Sequence, residues 1–199
     1  MIRALLFDYG GVMSPERAGN LLSDRLTRNL DITEEEAVKF IFSNWRDYLK
    51  GSLSEEQFWN ATETHFNKSI PNEKRDIWNS GEDMKPLPEM VELVESLKSR
   101  GYSVGLLSNT VPNIAAGIKT IGGYAPFDFT ILSYEVGLAK PDTEIYELAL
   151  TKLPSIEPTE VIFIDDQERC LAPARKLGMH TVLAISPEQI KKSIEKLLS

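Results

Sequence analysis

A chain of 199 residues has room, at ~150 residues per domain, for one domain with a sizeable insertion or for two small ones. Hydrophobic residues at 42% and charged residues at 26% exclude a disordered or fibrous chain. Lys+Arg 22 against Asp+Glu 30 leaves a net charge of -8, which argues against nucleic acid or anionic membrane as a partner, because both are bound by basic surface. The single cysteine, Cys170, excludes an internal disulfide framework and a cysteine-based zinc site, and fits a reducing, cytoplasmic setting. The apolar run Ala4 to Phe7 is too short for a secretory core, and nothing approaches the ~18 apolar residues of a membrane span.

Taken in chain order, Ala4 to Phe7 reads as the first strand. Residues 15–85 then show only helix signals. Thr33-Glu34-Glu35-Glu36 and Ser54-Glu55-Glu56-Gln57 have the spacing of capping boxes. Ala37, Ile41, Trp45 and Tyr48 mark one helix face, and Phe58, Trp59, Thr62 and Phe66 another. This predicts a small helical unit over 15–85, inserted into a core formed by 1–14 and 86–199. The joins are Met13 to Ala18 and Lys85-Pro86-Leu87-Pro88.

Beyond the insertion, Pro88 to Arg100 predicts a helix with Val91, Val94 and Leu97 inward, stopped at Gly101. Strand-length apolar runs follow at Val104 to Leu107, Phe129 to Leu132, Val161 to Ile164 and Thr181 to Ile185. They show little alternation, as expected of strands covered on both faces. Helices are expected over Asp142 to Leu153, over Glu168 to Leu177 before Gly178, and from Ser186-Pro187-Glu188-Gln189 to the end. Alternating strands and helices predict an α/β fold, a doubly wound Rossmann-like parallel sheet.

Open α/β sheets bind ligands beyond the carboxyl ends of their strands. Phe7 is followed by Asp8-Tyr9-Gly10-Gly11, Leu107 by Ser108-Asn109-Thr110, and Ile164 by Asp165-Asp166; Lys140-Pro141 lies between the last two. Singly, each has an ordinary structural reading as a turn former, a helix cap or a solvated charge. Together they put three carboxylates, a hydroxyl-amide pair and an ammonium at one sheet edge. Crowded carboxylates call for a cation. Oxygen-only ligands at a wet edge suit Mg²⁺, and a free carboxylate beside it can attack phosphorus. His65 and His180 have no ligand spacing around them and are expected to pack or face solvent. Gly10-Gly11 does not begin a dinucleotide fingerprint.

These segments closely resemble the motifs of the haloacid dehalogenase superfamily, along essentially the whole chain. Leu5 to Val12 resembles the first motif, Leu106 to Asn109 the second, Lys140-Pro141-Asp142 the third and Phe163 to Asp166 the acidic fourth. The resemblance implies Asp8 as nucleophile, Ser108 and Asn109 on the phosphoryl group, and Lys140 neutralising both. It implies Mg²⁺ held by Asp8, the Gly10 carbonyl, Asp165 and Asp166, and a helical cap over the site. It further implies a small phosphorylated metabolite as partner; the chain is expected to be a monomer or homodimer in the cytoplasm.

One position departs from the pattern. Superfamily phosphatases generally carry a second aspartate two residues after the nucleophile, as general acid and base. Here it is Gly10, in a D-x-G-[GN]-V pattern resembling the glucose-1-phosphate phosphatase or epoxide-hydrolase-like subgroup. The loss predicts slow turnover or a preference for good leaving groups. Competing expectations are a metal-free dehalogenase, which the acid pair disfavours, and a receiver-like or degenerate phosphosugar-binding protein. Ser14 to Asn20 and the Lys50-Gly51-Ser52 turn are expected to meet substrate.

Overall fold

The computed structural model describes residues 1–71, 75 and 81–199; the expected insertion over 72–74 and 76–80 lies outside them. Five parallel strands form the sheet: β1 (Ala4–Phe7), β2 (Ser103–Ser108), β3 (Phe129–Leu132), β4 (Val161–Asp165) and β5 (His180–Leu183), in the order β3-β2-β1-β4-β5. Between β1 and β2 lie α1 (Ala18–Leu30), α2 (Glu34–Leu49), α3 (Glu55–Phe66), a 3-10 turn (Gly81–Met84) and α4 (Pro88–Ser99). The later helices are α5 (Pro112–Thr120), α6 (Ser133–Val136), α7 (Thr143–Thr151), α8 (Glu168–Lys176) and α9 (Pro187–Leu198).

Strand side chains divide by the period of two. Leu5, Phe7, Leu106, Ile162 and Ile164 face one hydrophobic cluster, while Ala4, Leu6, Leu107, Val161 and Phe163 face a second with Tyr146, Leu171 and Ala174. Both faces are therefore covered, which is why the strands read as unbroken apolar runs. The first cluster is continuous with Leu22, Leu26, Phe40, Tyr48 and Phe58 of the inserted helices. Tyr48 stacks on Phe58 with ring centroids 4.7 Å apart. Burial of such a side chain contributes about 1.5–3 kcal/mol, so α1–α3 are fastened mainly by this shared core.

Local sequence explains the helix starts. Thr33 and Ser54 form complete capping boxes with Glu36 and Gln57. At Ser186 the side chain accepts from the Gln189 N–H, but Gln189 reaches the Ile185 N–H instead of closing the box. Some expected boundaries shift. α4 buries Met90, Leu93, Val94 and Leu97, so Val91 lies at the border of the face. β5 ends at Leu183 and leaves Ile185 exposed, because the ladder to β4 stops at Asp165. α7 starts at Thr143 with Asp142 as its cap residue.

The insertion also docks by polar contacts. Arg46 of α2 and its cap residue Lys50 both pair with Asp142, the latter at 2.6 Å. Gly51 has φ +67, and a Cβ there would stand 2.6 Å from the Tyr134 carbonyl oxygen of α6. The Lys50-Gly51-Ser52 turn is thus seated on the core and does not line the cavity described below. Among the described residues, no helix is long and apolar enough to cross a membrane.

Candidate active site

β1 pairs with β2 on one side and β4 on the other, with Phe7 level with Leu106 and Ile164. Strand order reverses here, and the three carboxyl ends open into one crevice, the usual ligand position in such sheets. The Asp8 N–H still donates to the Ile164 carbonyl (2.9 Å), so the ladder itself sets Asp8 beside the end of β4. Carboxylate oxygens of Asp8, Asp165 and Asp166 lie within 4.8 Å of one another. The expected convergence is therefore present.

Lys140 reaches this cluster from the loop before α7. Its Nζ is 2.9 Å from Asp8 Oδ1 and 2.7 Å from Asp165 Oδ2, all three groups being buried. Burial alone lowers the pKa of an ammonium, but the Asp165 and Asp8 charges overcome it and hold Lys140 well above the lysine range. Asp8 moves upward to about 7, through burial first and the Asp165 charge next, against the pull of Lys140. Asp8 Oδ1 also accepts from the Tyr9 N–H at 2.7 Å, and Asp165 Oδ1 from the Gln167 N–H at 2.8 Å.

Asn109 has a specific task in this geometry. Its Nδ2 donates to the Lys140 carbonyl and its Oδ1 accepts from the Lys140 N–H, both at 2.8 Å. The amide thus clamps the lysine backbone. Ser108 is buried and lines a cavity of about 80 Å³ together with Asp8, Gly10, Arg17, Lys140 and Trp45. Ala18 and Gly19 line it too, so the Ser14 to Asn20 stretch does reach the site. His65 instead packs on the Phe40 and Phe66 rings, and His180 is exposed at the start of β5.

Two glycines shape the loop after β1. Gly11 has φ +76, and a Cβ there would fall 2.3 Å from Asp166 Oδ2, so any larger residue would push that carboxylate away. A Cβ at Gly10 would stand 3.1 Å from the Glu16 carbonyl oxygen. The backbone entering α1 closes over the position where an acid would project.

Two residues take parts that the sequence places near the site without singling them out. Thr110 lines the cavity with a buried, unpartnered Oγ1, its backbone bonded in both directions to the Ser133 hydroxyl. Arg17 forms an ion pair with Asp166 across more than a hundred residues. Thr110 stands two residues after Ser108 on the same strand end; Arg17 lies within the Ser14 to Asn20 stretch expected to meet substrate, where nothing in the sequence sets it apart from its neighbours.

The donor set fits a hard divalent cation. It consists of carboxylate oxygens, and among the described residues the buried Asp166 Oδ1 accepts no hydrogen bond, while Oδ2 faces the Arg17 guanidinium. Buried polar atoms without donors call for an explanation, and oxygen-only coordination supplies one.

A family model described as haloacid dehalogenase-like hydrolase matches residues 20–184. The chain belongs to that family. Among other haloacid dehalogenase-like hydrolases, an enzyme of Bacteroides thetaiotaomicron in complex with magnesium and inorganic phosphate superposes with a TM-score of 0.72. It is 26% identical, over 92% of this chain and 93% of that one. Ribulose-1,5-bisphosphate 5-phosphatase of Halopiger xanaduensis is 26% identical over 92% of this chain and 84% of its own. Mouse acyl-CoA dehydrogenase family member 10 is 28% identical over 98% of this chain, and pig bifunctional epoxide hydrolase 2 is 37% identical over 54% of it. The chain spans only 19% and 20% of those two longer proteins.

Proposed function

We propose that this hydrolase is a Mg²⁺-dependent phosphatase of a small phosphorylated metabolite, working through an aspartyl-phosphate on Asp8. One observation carries the reading: three carboxylates from two strand ends meet within 4.8 Å, with Lys140 bonded to two of them. The magnesium-phosphate complex of the Bacteroides enzyme and the phosphatase activity named for the Halopiger relative support it.

Bound at Asp8, Asp165, Asp166 and the Gly10 carbonyl, Mg²⁺ would neutralise the carboxylates and draw charge from the phosphoryl oxygens. The chain's own groups do the rest. Both bonds to Asp8 fall on Oδ1, from the Tyr9 N–H and from Lys140, which leaves Oδ2 to attack phosphorus. A new Oδ2–P bond forms as the ester P–O bond breaks, and the leaving oxygen takes the electron pair. Lys140 steadies the nucleophile and the incoming charge. Ser108 donates to a phosphoryl oxygen, and Asn109 fixes Lys140 through its backbone. Water then cleaves the acyl-phosphate, regenerating Asp8 and releasing phosphate.

Gly10 offers no proton to the leaving oxygen. The enzyme therefore favours leaving groups that need none, such as anomeric or acyl phosphates. In this reading residues 15–85 act as a cap over a core of 1–14 and 86–199, excluding water from the cavity that Trp45 and Arg17 line. A panel of phosphorylated metabolites, assayed for phosphate release with and without Mg²⁺, tests the proposal with Asp8→Asn as blank. Release confined to wild-type protein with Mg²⁺ is expected. Chloride release from a 2-haloacid without metal, with no phosphate release from any ester, would replace it by the dehalogenase reading.

A further inference from the structure

Arg17 precedes α1 and makes no side-chain capping bond to it. Its guanidinium Nε instead contacts Asp166 Oδ2, and the residue lines the cavity beside Asp8, Ser108 and Lys140. The two partners differ sharply in burial: the Arg17 side chain is 48% exposed and that of Asp166 2%. Among the described residues, no hydrogen-bond donor other than Arg17 reaches the Asp166 carboxylate. Lys140 is committed to Asp8 and Asp165. The third carboxylate thus rests on an ion pair with a cation able to leave, in a place where an uncompensated charge is costly.

We infer that Arg17 is a shared cation. It stands on Asp166 while the acidic cluster holds no metal, and turns into the cavity to bind the substrate's phosphoryl group once a divalent cation takes its place. This rests on the metal-dependent phosphatase reading above. Three observations support the exchange. The pair exists only because Gly11 lacks a side chain: a Cβ there would lie 2.3 Å from Asp166 Oδ2 and 3.2 Å from Arg17 Nε. A dication on Asp166 and a guanidinium on the same carboxylate stand as like charges side by side, which weakens the ion pair. The Arg17 side chain is half-exposed and makes no capping bond to α1, so it can leave without giving one up.

The guanidinium suits its second position, because its donor fork matches phosphate oxygens. Arg169 also lines the cavity, but its Nε donates to Gln167 Oε1 at 3.0 Å, so Arg17 is the better placed of the two arginines. Its backbone lies where the chain passes from the β1 loop into α1, so the same residue connects metal occupancy to the entry of the inserted helices.

Titration calorimetry on the full chain separates the two roles: Mg²⁺ into metal-free protein, then inorganic phosphate into Mg²⁺-loaded protein. For Arg17→Gln, Mg²⁺ binding tightens about five- to tenfold, because no resident cation has to be displaced. Phosphate binding to the loaded variant weakens about tenfold or more, through loss of a charged hydrogen-bond donor. Arg17→Lys, which keeps the charge, stays close to wild type for Mg²⁺ and falls between the two for phosphate. Unchanged Mg²⁺ affinity or unchanged phosphate affinity in Arg17→Gln overturns the role of Arg17 and leaves the phosphatase reading standing. Failure of wild-type protein to bind Mg²⁺ overturns both.

Discussion

Lys140 Nζ lies 2.7 Å from Asp165 Oδ2, with both side chains buried, and the same nitrogen reaches Asp8 Oδ1 at 2.9 Å. One ammonium thus ties the end of β1 to the end of β4. Removing one partner of a buried ion pair costs about 3–5 kcal/mol, because the other charge is left unpaired. Lys140→Met is expected to lower the chelator-treated protein's urea midpoint by that equivalent, and Mg²⁺ to restore part of it. A midpoint equal to wild type would show that the lysine does not compensate the acids.

The position of Asp8 sets a pH dependence for the metal-free protein. Its pKa rises from 3.8 to about 7, by burial and then by Asp165, against Lys140. A raised folded-state value means that the folded protein keeps a proton the unfolded chain releases. The resulting stabilisation is complete below about 3.8 and disappears as pH climbs through about 7. In chelator, the melting temperature of wild type relative to Asp8→Asn should fall steadily between those values. A constant difference across that interval contradicts the burial of Asp8 in a low-dielectric, metal-free site.

At Gly10 the two effects of an added acid can be measured separately. Glu16 must yield by a few tenths of an ångström to admit a Cβ now 3.1 Å from its carbonyl oxygen. Gly10→Asp should therefore melt slightly lower than wild type. General acid assistance is worth about 10²–10⁴-fold, and it acts on leaving groups that need protonation. Hydrolysis of an alkyl phosphomonoester should gain at least about tenfold relative to p-nitrophenyl phosphate. Equal changes for both substrates would show that leaving-group protonation does not limit this enzyme.

Gly51 and Gly137 share positive φ, +67 and +70, but differ in surroundings. A Cβ at Gly51 meets the Tyr134 carbonyl oxygen at 2.6 Å; one at Gly137 meets nothing within 4 Å. Both alanine variants pay the left-handed strain of about 1 kcal/mol or more. Gly51→Ala should be the less stable by denaturant titration, since the insertion must lift from α6. Equal losses would mean that the α2–α3 turn is not seated on the core.

Much of this fold is written locally. Complete capping boxes at Thr33 and Ser54 start α2 and α3, and the unalternating apolar runs identify strands covered on both faces. α5 had no comparable signal: it opens with Pro112 after a Val111 cap that makes no side-chain bond. The end of β5 was equally hidden, because Ile185 is apolar yet exposed once the ladder to β4 stops. Strand ends depend on the neighbouring strand, which local sequence does not specify.

For the site, the chain's own order of residues determined which chemical groups stand at the strand ends: Asp8, Ser108, Asn109, Asp165 and Asp166, with Lys140 nearby. A strand's length and a polar residue after it are local properties, readable from neighbours in the chain. Only the tertiary structure decided how those groups divide their work. Asn109 holds the Lys140 backbone, Lys140 serves two acids, and Arg17 crosses from the entry to α1 to meet the third. Distances between residues remote in sequence are set by sheet register and by the close approaches that Gly10 and Gly11 permit. No local pattern encodes them, because they arise when separate pieces of chain compete for the same few ångströms.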